Sequence, residues 1–404
     1  MRRDQAPVIS VRSPEPVADV TAGFLRLLRD RPERRALGEA LAYFLVTRLA
    51  LSIVAAAAVR FLPVGVQAGT EAYLGRSLSL GAWLRWDAWW FLSVVERGYW
   101  FDLQGKSNVA FFPLLPLMIK ALTRITGNPV VAGFVVANVA TLVGVVALWW
   151  WVRVEAGQAA ADRAVRWLAV YPFSFFLHTV YAEPLFFCLV TLSFLAVRRE
   201  RWLAAGLWGG LAAATRPLGV LLLPAVAAQT WHVRRTGRDP GWAGLLGLGL
   251  IAAGPGIYML YLGLTFGDPF AFWKAHARGW GIGTTWDFSP YWKGLRLLLP
   301  LPRIESYHQL LSVLSLVLPL VFGVLVIVAF RRLGLAAGAY SAAVVCVAVL
   351  LAPESIGREL LAVIPAFAAV GYLGAPAGGE GLRLLSFALL LVLLFAFVTG
   401  HFVG

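Results

Sequence analysis

Cysteine is nearly absent: Cys188 and Cys346 are the two in 404 residues. Each lies inside an apolar run with no partner nearby, which excludes a disulfide framework and a CxxC metal site. Histidine is sparse and scattered. His178, His232, His276, His308 and His401 show no HExxH pattern and no paired His–carboxylate spacing, so no metal site is expected. No Walker loop, GxSxG elbow or Rossmann glycine fingerprint occurs, which argues against ATP-driven transport and dehydrogenase chemistry. Charge is scarce as well, at 14% of residues against about 25% in an ordinary soluble domain.

What fills the chain instead is apolar sequence. Runs such as "LLSVLSLVLPLVFGVLVIVAF" (310–330) and "FALLLVLLFAFVTG" (387–400) approach the length of a bilayer core. The chain therefore reads as an all-α polytopic membrane protein. Spans are expected near 39–62, 130–152, 163–177, 179–197, 203–214, 217–231, 243–266, 308–330, 334–352, 357–374 and 383–403, about eleven in all. The glycine-rich stretches, Gly206 to Gly210 and Gly241 to Gly256, suit close helix packing.

The net charge of +14 does not point to nucleic acid. A phosphate-binding groove would gather its cations on one face, whereas here they lie between spans and in the N-terminal tail. Arg26, Arg29, Arg31, Arg34 and Arg35 place that tail in the cytoplasm. Counting crossings from there, the short connections at 153–166, 198–201, 232–239, 331–334 and 378–383 all fall inside, and every one carries arginine. The organisation expected is a disordered cytoplasmic tail over 1–36, not a signal peptide, and one transmembrane domain over 37–404. Two long extracytoplasmic regions, 63–129 and 267–307, interrupt it. Loops of that length usually carry function. Trp83, Trp86, Trp90 and Val94 recur at helical spacing in the first, which predicts an amphipathic helix lying in the interface. A second surface helix is expected over 108–122.

Ionisable groups at membrane depth need a reason. Asp87, Glu183, Arg216, Arg358 and Glu354 all fall on the outer side by a topology derived without them. Arg216 precedes Pro217 in "ATRPLG", where a broken helix leaves backbone N–H groups facing a cavity. Arg358 opens a span in "SIGRELL". Two outer arginines beside apolar walls describe a site for a lipid phosphate, which a guanidinium grips with a bidentate fork. The alternative is that they form structural salt bridges to Glu183 or Glu354.

Three blocks, in order, resemble the PIG-V-type mannosyltransferases of the GT-C class of polytopic glycosyltransferases. The first is "RWDAWWFLSVVERGYW" followed by "AFFPLLPLMIKAL", through Trp86, Asp87, Phe91, Leu92, Gly98, Tyr99, Ala110, Phe111, Phe112, Pro113, Leu114 and Pro116. The second is "YPFSFFLHTVYAEPLFF", through Pro172, Phe176, Tyr181, Glu183, Leu185 and Phe186. The third is "ATRPLG", through Ala214, Thr215, Arg216 and Gly219. Ala182 and Pro184 stand where the family has serines beside the glutamate. In the C-terminal half, Arg358 of "GRELLAVIPAF" falls where a family arginine would.

The resemblance implies a GT-C-like fold and an inverting transfer of mannose from a polyprenyl-phosphate donor to a hydroxyl of a glycolipid or cell-envelope glycan. The reaction would occur on the outer face of a bacterial cell membrane. Asp87 would be the general base, and chemistry agrees, because transfer to a hydroxyl needs one positioned carboxylate rather than a nucleophile. Arg216 and Arg358 would hold the donor phosphate. Trp86, Trp89, Tyr99, Tyr181, Glu183 and Thr215 would contact substrate. Partners are the lipid-linked sugar, the acceptor and the bilayer, with no metal, cofactor or nucleic acid. Three alternatives stay open: another sugar on the same carrier, a lipid transporter or flippase, and a non-catalytic subunit of an envelope complex.

Overall fold

The computed structural model describes residues 31–62, 78–102, 105–281, 287–299, 304–374 and 379–404. Every element among them is a helix. Five are long and apolar enough to cross a bilayer: Arg34–Phe61, Pro129–Ala156, Gly241–Phe266, Tyr307–Arg332 and Gly379–Val398. Trp202–Ala213 and Leu335–Leu351 are shorter apolar helices. The first helix already runs at Arg31, within the stretch read as a tail over 1–36; residues 1–30 of that tail lie outside the described residues.

Three expected spans are interrupted rather than continuous. The 163–177 segment is a helix, Gln158–Val170, then a turn at Tyr171–Pro172 and a 3-10 turn over Ser174–His178. The 217–231 segment opens with a 3-10 turn over Pro217–Leu221 before the Leu222–Arg235 helix. The 357–374 segment breaks into Ile356–Glu359, Leu360–Ala362 and Ile364–Val370. Each break lies beside a proline, Pro172, Pro217 or Pro365, which has no N–H to continue a ladder. Irregular backbone at this depth is tolerated because it is buried in protein.

Lipid supplies little hydrophobic drive between helices, so close packing does the holding. Trp202–Ala213 and Gly241–Phe266 meet through glycines, as their spacing suggested. A Cβ at Gly206 would collide with the Gly247 backbone, at Gly210 with the Leu250 carbonyl, and at Gly254 with the Gly210 carbonyl. Pro129–Ala156 packs on Ala182–Arg198, where Trp151 stacks on Phe194 at 5.4 Å between ring centres. Arg48, buried in the first long helix, donates to the Ala169 and Ser174 carbonyls and so ties down the end of Gln158–Val170.

The polar connections sort to two ends. Arg198 pairs with Glu155 at 2.5 Å, and Arg238 with Glu200. Glu183 stands in the first turn of the helix that Arg198 ends. At 1.5 Å per residue the two are roughly 22 Å apart, so the arginine-rich connections and the residues around Glu183 occupy opposite ends of the bundle.

The two long loop regions meet one another. Asn108, fully buried, accepts from the Trp100 N–H at 2.8 Å and donates to the Gly98 carbonyl at 2.9 Å, closing the first loop on itself. Val109, Ala110 and Phe112 then form a satellite core with Tyr258, Leu262, Ala271 and Ala275. The Ala271–Trp280 helix of the second region sits on it, with Trp280 edge-on to Trp90 at 5.3 Å. The aromatic helix of the first loop starts later than its spacing suggested. It runs Asp87–Arg97, after Trp83 and Trp86, and buries Phe91, Leu92, Val94 and Val95 in protein rather than lying freely in an interface. The Leu114–Thr126 helix does present an apolar outer face, through Leu117, Met118 and Ile125.

Candidate active site

Asp87 is the first residue of its helix, a stabilising place for a carboxylate because the N-terminal N–H groups point toward it. The preceding Trp86 has φ of 51°, unusual for a residue with a Cβ, which turns the chain sharply there. Two anchors hold this turn. The Tyr181 hydroxyl donates to the Arg85 carbonyl at 2.9 Å and accepts from the Asp87 N–H at 3.2 Å. The fully buried Arg85 guanidinium donates to the Val398 carbonyl at 2.7 Å, fastening the turn to the last long helix.

Around Asp87 lies a network of three carboxylates and two guanidiniums. Arg358 Nη1 donates to Asp87 Oδ2 at 2.7 Å, and its Nε lies 3.3 Å from Glu183 Oε1. Arg216 Nη1 donates to the same Glu183 oxygen at 3.1 Å, while its Nη2 reaches both Glu359 oxygens at 2.6 and 2.7 Å. Phe176 and Tyr181 present their rings to Arg358, and Phe186 to Arg216. Charges removed from water survive only when paired in this way. Side-chain exposure grades across the network, from 4% at Glu183 to 23% at Asp87. Glu183 is therefore the buried brace between two arginines, and Asp87 the acid at the accessible edge. Its Oδ1 accepts no hydrogen bond from the described residues, which leaves one carboxylate oxygen for a substrate hydroxyl.

Of the residues singled out in the sequence, the structure brings together Asp87, Tyr181, Glu183, Arg216 and Arg358. Trp86 stands beside them, edge-on to Phe402 at 5.3 Å, and Trp89 packs edge-on to Trp90 and Trp100. Two others go elsewhere. Thr215 is buried with its hydroxyl donating to the Leu211 carbonyl. Tyr99 donates to the Phe111 carbonyl at 2.8 Å and packs among Tyr258 and Tyr261, where burial raises its pKa. The salt bridges weighed against a phosphate site do exist, but with Glu183 and Glu359. Glu354 is exposed and lines a separate cavity.

Three residues of the site escaped the sequence reading. Glu359 follows Arg358 directly, and neighbours on a helix diverge by about 100°, yet in the short broken helix Arg358 reaches Asp87 and Glu183 while Glu359 reaches Arg216. Arg85 gave a signal, an arginine beside Trp86-Asp87 in an apolar stretch. His276, half-buried on Ala271–Trp280, donates from Nδ1 to the Phe272 carbonyl at 2.9 Å in the tautomer that bond selects. Burial lowers its pKa, opposed by that hydrogen bond and by the negative charges of Asp87 and Glu359. The second loop region thus lies within the electrostatic field of the site.

Residues 40–234 match the family model described as mannosyltransferase (PIG-V). No curated protein matches the sequence. Among solved structures, ArnT from Cupriavidus metallidurans bound to undecaprenyl phosphate is similar in fold, with a TM-score of 0.50 and 15% identity over 86% of this chain and 63% of ArnT. The oligosaccharyltransferase of Archaeoglobus fulgidus follows with a TM-score of 0.45 and 12% identity, over 88% of this chain and 53% of its own. The chain thus spans less than two thirds of the length of either structure. The matched segment, just under half of the chain, holds Asp87, Tyr181, Glu183 and Arg216 of the network, so the part of the chain that builds the site is similar to the PIG-V mannosyltransferases, and the fold is similar to that of ArnT.

Proposed function

We propose that this protein is an integral-membrane mannosyltransferase that moves mannose from a polyprenyl-phosphate donor to a hydroxyl of a lipid-linked or cell-envelope glycan. The observation that carries the reading is Asp87. It is fixed by Tyr181 and Arg358 as the most exposed carboxylate of a buried charge network, with 23% of its side chain accessible. The match of residues 40–234 to the mannosyltransferase family model supports the sugar, and the undecaprenyl phosphate bound to ArnT supports the class of carrier.

In this reading the acceptor O–H gives its proton to Asp87 Oδ1 as its oxygen bonds to the anomeric carbon. The bond from that carbon to the phosphate oxygen breaks on the opposite face, which inverts the configuration. Once protonated, Asp87 no longer holds the charge of Arg358, whose guanidinium then turns its field toward the departing phosphate. Glu183, itself held by Arg216, keeps Arg358 in place, the kind of preorganised electrostatics that lowers such barriers. Trp86 and Trp89 supply flat faces for sugar rings, and the reading assigns no metal or cofactor. The site faces the outside of a cell membrane, with the N-terminus in the cytoplasm.

The test is transfer of radiolabelled mannose from polyprenyl-phosphate mannose into total lipid extract, by membranes carrying wild type or Asp87→Asn. Loss of a general base is expected to lower turnover about a thousandfold at unchanged protein level. Equal rates would remove Asp87 from the role. A labelled product from another sugar donor only would replace mannose.

A further inference from the structure

The Gly379–Val398 helix is followed by "TGHFVG" (399–404), a stretch outside the segment that matches the family model. Gly400 has φ of 94°, a left-handed conformation that a Cβ resists. The His401 N–H donates to the Ala396 carbonyl at 2.8 Å, and the Gly400 N–H to that of Phe397 at 3.1 Å, the paired bonds of a helix ended by glycine. The chain is thereby turned back onto the charge network. Val403 is 1% exposed, and a Cβ at Gly404 would meet the side chains of Arg358, Phe176 and Phe173. His401 meets Tyr307 edge-on at 5.0 Å. Between these two anchorages, Phe402 lies edge-on to Trp86 at 5.3 Å.

What the contact does follows from the backbone of Trp86. Its φ of 51° and ψ of -110° are sparsely populated for a residue with a Cβ, and such a conformation persists only when its surroundings over-determine it. One restraint is Tyr181, which joins the Arg85 carbonyl to the Asp87 N–H. Two further restraints come from the other end of the chain: the Val398 carbonyl, which accepts from Arg85, and the ring of Phe402 on Trp86 itself. We propose that Phe402 is a positioning residue for Asp87, its ring holding Trp86 in the turn that aims the carboxylate, with residues 399–404 as the strap that carries the ring there. What Asp87 does once aimed rests on the transferase reading; the contact does not.

The test compares Phe402→Leu, which keeps apolar volume without the ring, with Phe402→Tyr, which keeps the ring. A cavity of about 620 Å³ borders Phe402 and leaves room for the added hydroxyl. Phe402→Leu is expected to lower kcat for mannose transfer about tenfold at nearly constant KM, with the melting temperature in detergent held within a few degrees. Phe402→Tyr should restore kcat to within about twofold of wild type. A second readout needs no transfer: modification of Asp87 by dicyclohexylcarbodiimide, read by mass spectrometry on the full chain in nanodiscs, with Asp87→Asn as the blank. Its rate should change about threefold in Phe402→Leu, as the turn loosens, and stay at the wild-type value in Phe402→Tyr. Wild-type kcat together with wild-type modification in Phe402→Leu overturns the role. So does a loss of kcat that Phe402→Tyr shares and that runs parallel to a lower melting temperature, which would make Phe402 a packing residue only. Altered modification in Phe402→Leu, alongside a wild type that transfers no sugar from any donor, would sink the transferase reading and leave the positioning contact standing.

Discussion

Glu183 and Asp87 are both carboxylates on one network, yet their surroundings give them different work. Glu183 holds two arginines from a nearly inaccessible position. Removing it leaves two buried cations sharing what remains, and breaking a buried pair costs about 3–5 kcal/mol. Glu183→Ala is therefore expected to lower the melting temperature in detergent severely, whereas Asp87→Asn, at the accessible edge, should melt within a few degrees of wild type while losing activity. If both variants fold equally well, Glu183 is not the brace. Tyr181→Phe is a subtler case, since its hydroxyl touches no substrate in this reading and only joins the Arg85 carbonyl to the Asp87 N–H. Its loss should lower kcat about tenfold with KM nearly constant, the equivalent of roughly 1.4 kcal/mol of misplaced base. A change in KM alone would make Tyr181 a binding residue. At this scale the sequence was a partial guide. Asp87, Glu183, Arg216 and Arg358 were legible because charge is rare in apolar sequence. Glu359 was not, because nothing in a linear pattern says that the residue after Arg358 will turn into the same network and meet Arg216.

Helices obeyed their patterns where packing is regular, and departed from them where the site is built. The long spans and the glycine contact between Trp202–Ala213 and Gly241–Phe266 follow from apolar length and small-residue spacing. The interrupted segments do not, since hydropathy averages over a proline break and reports one span. Those breaks are what present Arg216, Arg358 and Glu359 to one point. Thr215 and Tyr99 lie in the motif blocks, yet local hydrogen bonds engage both hydroxyls with backbone carbonyls. The glycine contact gives a sharp comparison. At Gly210 a side chain meets the Leu250 carbonyl, and at Gly249 it meets open space. Gly210→Val should lose about 1–3 kcal/mol through overpacking, read as a lower melting temperature and faster proteolysis. Gly249→Ala should match or exceed wild type, because a helical alanine restricts the unfolded chain more than glycine does. Equal effects at the two positions would mean that the helices do not approach as closely as the glycines allow.

At the scale of the molecule, one arrangement joins the charge pattern to the chemistry. The Glu155–Arg198 and Glu200–Arg238 pairs lie at one end of the bundle, and the Asp87 network at the other. The arginine-rich end is expected in the cytoplasm, since positive connections resist translocation. In the proposed reading the end that carries Asp87 then opens outward, where a lipid-linked sugar would be presented with no need of a soluble nucleotide donor. Orientation can be measured without any assay of transfer. Cys346 is exposed on Leu335–Leu351 and would first be replaced by serine, while Cys188 is buried. On that background Lys106→Cys, in the first loop beside Trp280, is expected to react with a membrane-impermeant maleimide added to intact cells. Arg234→Cys, on the last turn of Leu222–Arg235, should react only after the membrane is opened. The reverse pattern would place Asp87 in the cytoplasm. There a nucleotide-activated sugar would be within reach, and the lipid-phosphate donor, together with the role given to Arg216 and Arg358, would lose its physical motive.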